Sequence, residues 1–334
     1  MTGHYVVFES IGNAELKPFE VPSPGPGEVL LENDYTVISA GTERANLLNL
    51  PNTSNVFPFH PGYCGIGRVV DAGEGVENVA IGDRALVDHG GHRSHSIQKA
   101  AKLTVVGDDR IDSLDAAFVV IAAMGLQGVR KLRLELGESA MVIGLGLLGI
   151  FATQLAKIDG AIPVIVSDFD RTRRDLALKL GADHAFSPEE EDLAEKIRDL
   201  TNGNGPDGIV EVTGVAAALQ DALTYVAWQG RISLLGCTRV SDAEIDFYQF
   251  VHRRGVSLIG AHNFVRPKED SYPGYWTNRD DYRVLLALIA AGRLRVRPII
   301  SEIVPPDYAP DIYNRLAEEE HPPLGIVFDW REAQ

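Results

Sequence analysis

The sequence predicts an α/β protein built from two parts, a doubly wound parallel sheet in the middle of the chain and a β-rich domain resembling a partly open barrel. Three observations carry this. Short β-like runs broken by Gly, Pro and Asp fill residues 1–120. From about Ser113 apolar strands and helices alternate, as in a sheet buried on both faces. One of those strands runs into a glycine-rich turn that opens a helix, "AMVIGLGLLGIFATQLAK".

Taken in order, "HYVVFES" and "EVLLENDYTVIS" read as strands, the second fed by the turn "SPGPG", where proline fixes φ and glycine permits the reversal. "CGIGRVVDAG", "GDRALVDH" and "KLTVVGD" complete the β-rich part. "SLDAAFVVIAAMGLQGVRKLRL" opens on a Ser N-cap and continues with apolar residues at helical spacing. Then "SAMVIGLG", "IPVIVSD", "DGIVEVTG", "GRISLLG" and "VSLIGAHN" alternate with helical stretches. The tail carries a helix, "DDYRVLLALIAAG", and strands "IISEIV" and "LGIVFDW" that complete the first domain.

The composition of the 334 residues sets limits. A hydrophobic fraction of 45% and a charged fraction of 23% belong to a folded chain, and the net charge is −16 with no Lys/Arg block. Nucleic acid and anionic membrane surfaces are repelled by such a surface. No apolar run reaches the roughly 20 residues that cross a bilayer, and the N-terminal stretch has neither a basic start nor an apolar signal core, so a cytoplasmic location is expected. Two cysteines, Cys64 and Cys237, exclude a disulfide framework and a four-cysteine zinc site.

The turn Gly144-x-Gly146-x-x-Gly149 has the context of a dinucleotide fingerprint. Gly144 makes the tight turn, Gly146 admits the pyrophosphate and Gly149 allows close helix–strand packing, while the N–H groups at Leu147 and Leu148 open the helix toward the phosphates. Asp168 ends the second strand and accepts hydrogen bonds from the adenosine ribose. Against the extra phosphate of NADP its charge is repulsive, by about 4 kcal/mol at ~4 Å and an effective dielectric of 20, so NAD is the expected cofactor. Arg171, Arg173 and Arg174 follow on a helix face expected to be solvated; Arg173 joins the cofactor set, as do Thr213 and Gly236 at later strand ends.

Together, "SPGPGEVLL", "GDRALV", the fingerprint and "GRISLLG" make the chain resemble the medium-chain dehydrogenase/reductase superfamily over nearly its whole length. "ISAGTERANL" and "PGYCGIGRVVDAG" are most similar to the branch of bacteriochlorophyllide-a hydroxyethyl dehydrogenases and their sugar- or polyol-associated relatives. The resemblance implies a GroES-like substrate domain from residues 1–120 and 263–334 around a Rossmann NAD domain, 121–262. It also implies a homodimer joined through the last Rossmann strand, with a tetramer as the other option.

The zinc pattern of the superfamily is missing. The resemblance puts its ligands on Ala40, Tyr63 and near Val119, with the Glu beside the His ligand falling on Cys64, and the four-cysteine lobe has no counterpart between Asp83 and Arg110. His60, His89, His92 and His95 lack metal-motif spacing and read as surface residues near turns. No metal is expected. Hydride transfer then needs another partner for the reacting oxygen. Tyr63 and Thr42 occupy the positions of a metal ligand and of the relay hydroxyl, Glu43 replaces a carboxylate next to the metal, and Arg44 adjoins it; the relay His of some relatives falls on Ala45. Each has a second reading: Tyr63 as a space-filler, Thr42 as a helix cap, Glu43 and Arg44 as a structural ion pair. His262, Asn263 and Arg266 follow the last Rossmann strand and either bind a hydroxyl-rich or anionic substrate or build a hinge. The expected function is zinc-independent, NAD-dependent interconversion of a secondary alcohol and its ketone. The rivals are a quinone or enone reductase and an inactive NAD-binding sensor.

Overall fold

The structure, a computed structural model, describes residues 1–319 and 322–332. Two units emerge, Met1–Ile121 with Arg279–Gln334, and Ala122–Asn278 between them.

In the first unit, β1 (Thr2–Ser10) and β2 (Asn13–Glu20) form an antiparallel hairpin. β3 (Glu28–Val37) runs into α1 (Ala40–Leu47), and β4 (Cys64–Ala72), β5 (Arg84–Asp88) and β6 (His95–Lys99) follow. β3 is the hub: β4 and β6 both pair with it antiparallel. Its inward residues Val29, Leu31 and Val37 are fully buried, as the alternation of a one-sided strand requires. A short α2 (Ser113–Ala116) leads to α3 (Val119–Leu132), which carries the chain out of this unit. Asp112 rather than Ser113 caps α2, accepting from the Leu114 amide.

The second unit is the doubly wound sheet. Its strands are β7 (Ala140–Ile143), β8 (Val164–Ser167), β9 (His184–Phe186), β10 (Gly208–Glu211), β11 (Arg231–Leu234) and β12 (Ser257–Gly260). All pair parallel, in the order β12-β11-β10-β7-β8-β9, so the order reverses beside β7, where the glycine turn lies. α4 (Leu147–Asp159), α5 (Arg171–Lys179), α6 (Leu193–Leu200) and α7 (Ala216–Tyr225) make the crossovers. β7, β8 and β10 are buried at every position, which is why their sequences are unbroken apolar runs.

The chain re-enters the first unit through α8 (Asn278–Ala290), and β13 (Glu302–Val304), α9 (Ala309–Glu318) and β14 (Ile326–Asp329) follow. β14 pairs with β3, extending its sheet to the order β13-β14-β3-β4-β5. A core of Phe8, Leu47, Tyr313, Leu316, Phe328 and Trp330 joins the hairpin, α1, α9 and the C-terminal strand. The sequence placed the return at residue 263; residues 263–278 instead group with the parallel-sheet unit. Arg266 donates to the Ala123 carbonyl, and the Arg130 guanidinium lies 4.1 Å from the centre of the Trp276 ring. Among the described residues no helix is long and apolar enough to cross a membrane.

Candidate active site

In the parallel-sheet unit the fingerprint glycines each meet a steric demand. Gly144 has φ of +93°, and a Cβ there would lie 2.8 Å from Thr213 Cγ2. A Cβ on Gly149 would fall 1.8 Å from the Gly144 carbonyl oxygen, so only glycine lets α4 start this close to β7. Gly146 is different: a Cβ there meets nothing within 4 Å, and as N-cap of α4 it brings no side-chain acceptor. That open space at a helix N-terminus fits a pyrophosphate. Leu147 and Leu148 begin α4.

Asp168 is engaged already. Its carboxylate accepts from the amides of Leu145 at 2.6 Å and Asp170 at 2.8 Å, tying the end of β8 to the glycine turn. Each oxygen keeps a second lone pair for a ribose hydroxyl. The arginine face is not uniformly solvated. Arg171 is, but Arg174 donates to the Asp168 and Phe169 carbonyls, and Arg173 lies 3.7 Å from Asp170 with its side chain largely covered. Thr213 donates through both its amide and hydroxyl to Glu211, whose carboxyl burial pushes up. Gly236 passes so close to the Gly214 amide that a Cβ would sit 2.3 Å away. Gly144, Thr213 and Gly236 thus gather at neighbouring strand ends of β7, β10 and β11.

In the β-rich unit Ser39, just ahead of α1, and Tyr63, just ahead of β4, come together, the Tyr63 hydroxyl donating to Ser39 Oγ at 2.6 Å. Burial pushes the Tyr63 phenol well above its usual range, and the hydrogen bonds with Ser39 and Thr42 oppose this without cancelling it. The ring stacks on His89, with centroids 5.7 Å apart. His89 sits at φ of +56° right after β5, and its Nδ1 lies 2.5 Å from Asp88 Oδ1. Asp88 Oδ2 accepts from the Tyr282 hydroxyl at 2.8 Å. The Asp88 hydrogen bond raises the His89 pKa, and partial desolvation works against it. Tyr63, His89 and Thr42 line a cavity of about 440 Å³ that also exposes His60, His95 and Arg93.

Several sequence expectations change here. The histidines are not all surface residues: His92 is 1% exposed, and His95 is buried as well. Glu43 and Arg44 form no ion pair with each other. The Glu43 carboxylate, 2% exposed, accepts from the Ser39 amide and the Tyr313 hydroxyl and lies 3.0 Å from His92 Nε2. Arg44 instead donates to the Leu316 and Ala317 carbonyls at the end of α9, which occupies it as a brace and leaves it unsuited to substrate. Thr42 does not cap α1; it lies within the helix, whose N-cap is Ser39.

After β12, Arg266 is 7% exposed and directed to the Ala123 and Trp276 carbonyls, so it pins its own segment rather than facing a ligand. His262 caps a short 3-10 turn through the Phe264 amide, and Asn263 begins that turn. Sequence reasoning missed Ser39, Asp88, His89 and Arg93. The stretch "DHGGHR" carried a signal, since paired glycines beside two histidines and an arginine mark a tight turn that can aim side chains at one point.

The family model of the zinc-binding dehydrogenases matches residues 148–278. An L-threonine 3-dehydrogenase of Pyrococcus abyssi is 30% identical over 319 residues, covering 86% of this chain and 87% of that protein. The chain belongs to the zinc-binding dehydrogenase family. Another family relative, a D-guloside 3-dehydrogenase of Escherichia coli, is 26% identical over 281 residues, with 81% and 78% covered. The crystal structure of 2R,3R-butanediol dehydrogenase from Bacillus subtilis shares the fold, with a TM-score of 0.82 at 21% identity over 98% of this chain and 99% of that one.

The donor set does not fit the metal in the family's name. A tetrahedral zinc needs three or four N, S or O ligands. At the positions expected for ligands stand Ala40, Tyr63 and Val119, and the Cys64 thiol is spent, donating to the Ala117 carbonyl at 2.9 Å and accepting from the Ile121 amide at 3.3 Å. Burial pushes that thiol far above its usual pKa, away from the thiolate a metal binds. Among the described residues no three His, Cys, Asp or Glu side chains form a group that could hold a metal.

The Glu43 contacts generate a stability prediction. Glu43→Ala leaves buried His92 and Tyr313 without their acceptor, and urea unfolding should show a loss of about 3–5 kcal/mol, the range for breaking a buried polar pair. A loss below about 1 kcal/mol, within the range of a solvated ion pair, would mean that the network does not hold α1 in place.

Proposed function

We propose that this protein is a zinc-independent, NAD-dependent oxidoreductase that interconverts a secondary alcohol of the sugar, cyclitol or polyol type and its ketone. The observation that carries the reading is the pairing, on one cavity wall, of a hydrogen-bond donor with a proton acceptor where the metal ligands are missing. The relatives named D-guloside and L-threonine 3-dehydrogenase support an alcohol as substrate. The branch lacking zinc ligands, read from "SAGTER" and "PGYC", belongs to the same proposal. The edge position of β12 suits pairing with a second copy into a homodimer.

When bound, NAD supplies the hydride acceptor for oxidation and, once reduced, the hydride donor for the reverse; Gly144, Gly146, Gly149 and Asp168 would hold it. The protein's own residues handle the oxygen. The raised pKa keeps Tyr63 protonated at neutral pH, so once the substrate oxygen replaces Ser39 Oγ as acceptor of its one proton it is a donor that stabilises negative charge on that oxygen, not the base. The base is His89. With its Nδ1–H donated to Asp88, Nε2 is left with a lone pair to take the hydroxyl proton as the carbinol is oxidised. In reduction His89 returns that proton. Thr42 and Ser39 orient the phenol.

Three measurements test this. Protein purified without a tag should hold far less than one zinc per chain, and chelators should leave NADH production from a polyol panel intact; one tightly held zinc lost together with activity defeats the reading. Tyr63→Phe should lower kcat by about 10²–10³, the usual loss for one oxyanion donor, and His89→Gln by about 10²–10⁴. Because Asp88 raises the His89 pKa, oxidation should fall as pH drops through that raised value, and Asp88→Asn should move this acid limb to lower pH. An unmoved limb would take His89 out of the proton transfer.

Cofactor choice is tested at Asp168. Asp168→Ser removes the ribose acceptor and the repulsion of a phosphate, so NAD should bind more weakly and NADP more tightly. Since the carboxylate also holds the Leu145 and Asp170 amides, the melting temperature should drop as well. Wild-type protein that already used NADP as well as NAD would transfer selectivity to Arg173 and its neighbours.

A further inference from the structure

Arg93 is the unexplained charge of the β-rich unit. The chain carries 47 acidic residues against 31 basic ones, and several other covered cations have found polar partners: Arg84 and Arg44 donate to backbone carbonyls, and Arg231 reaches Glu138. Arg93 lies on the wall of the 440 Å³ cavity, partly covered, and its Nε is buried with no hydrogen-bond partner. No carboxylate of the described residues lies within ion-pair distance of it. Its neighbours are aromatic or neutral: the Phe19 ring is 6.0 Å from the guanidinium carbon, and β1 passes at Tyr5. A desolvated guanidinium without a counter-charge is costly, and burial accordingly draws its pKa down.

The position is held by the fold rather than left to a mobile loop. The Arg93 carbonyl accepts from Asn33 Nδ2 at 2.7 Å, and the guanidinium lies over Gly91, where a Cβ would come within 3.0 Å of Nε. His60 and His95 share the cavity, and for both desolvation lowers the pKa, with Arg93 adding to the effect at His60. At neutral pH they are uncharged rings, each able to donate one hydrogen bond. The one acidic residue on the wall, Glu43, is committed to Ser39, His92 and Tyr313.

We propose that Arg93, with His60 and His95, is a subsite for an anionic group of the substrate, so that the alcohol oxidised here carries a phosphate monoester or a carboxylate. The inference rests on the dehydrogenase reading above, and it narrows the substrate from polyols in general to acidic ones. A guanidinium offers parallel N–H donors matched to two oxygens of either anion. An anion also supplies the counter-charge that Arg93 lacks, whereas a neutral polyol leaves it unpaired.

The test compares matched substrates in the NAD-loaded protein. NADH production is measured for hexitols, for their phosphate monoesters, and for the corresponding aldonic acids. The anionic members should exceed the neutral ones in kcat/KM by at least 10-fold, and the arm that wins, phosphate or carboxylate, identifies the anion. Arg93→Gln should erase that preference by about 10–100-fold, with Arg93→Lys retaining part of it. Neutral hexitols turned over as well as both anionic sets, or a preference that survives Arg93→Gln, would overturn the subsite.

Calorimetry with inorganic phosphate and with acetate, on the protein–NADH complex, separates the two proposals. If no polyol is oxidised but an anion binds and is lost in Arg93→Gln, the dehydrogenase reading fails and the subsite stands. If neither anion binds wild-type protein and no anionic substrate is preferred, the subsite falls whatever the enzyme oxidises.

Discussion

One buried carboxylate organises the β-rich unit. Glu43 accepts from the amide of Ser39, ahead of its own helix, from Tyr313 in α9, and contacts His92, whose other ring nitrogen lies 2.7 Å from Thr36 Oγ1 in β3. The Thr36 hydroxyl in turn accepts from the Trp330 indole. Four stretches of the chain, at residues 36–43, 92, 313 and 330, are therefore fixed by one chain of polar contacts beside an aromatic core of Phe8, Tyr313, Phe328 and Trp330. Buried polar groups are tolerable only when every member is satisfied, and here each has its partner. The network sets where α1 begins, and with it where Ser39 and Thr42 stand relative to Tyr63.

From that fixed start the division of labour at the cavity follows. Two hydroxyl- or imidazole-bearing residues stack against each other, yet their surroundings push their protonation in useful directions. Burial keeps Tyr63 a phenol, and the Asp88 carboxylate favours the protonated form of His89. The outcome is a phenol that stays protonated beside an imidazole whose protonated form is favoured. In the proposed reaction the two tasks that a zinc ion performs at one point in a metal-dependent dehydrogenase fall to two side chains on different segments.

How much of this the sequence disclosed depends on how local the physics is. The parallel-sheet unit was legible because its demands are short-range. Gly144, Gly146 and Gly149 lie within one turn, and β7, β8 and β10 are unbroken apolar runs because both faces are covered. The β-rich unit was legible as an architecture but not as a site. Glu43 meets His92 and Tyr313 across separations of 49 and 270 residues, and no spacing rule connects them. Arg44 was misread for the same reason, since the carbonyls that occupy it lie in α9. Arg266 looked available because it follows the last strand of the parallel sheet; the Ala123 carbonyl that holds it lies 143 residues earlier.

The discontinuity of the β-rich unit also orders events at the ribosome. Synthesis delivers β1 to β6 first, then the entire Ala122–Asn278 unit, and only afterwards α9 and β14. Until those last segments emerge, Glu43 has no Tyr313, Thr36 has no Trp330, and β3 lacks the partner on its β14 side. The inserted unit has all six of its strands by residue 260 and needs nothing that comes later to close its sheet. During translation the nascent chain thus carries a completed parallel-sheet unit while the other unit is still an open sheet with an unpaired edge and an unsatisfied acid, a state that favours assistance from chaperones until the final strand is released.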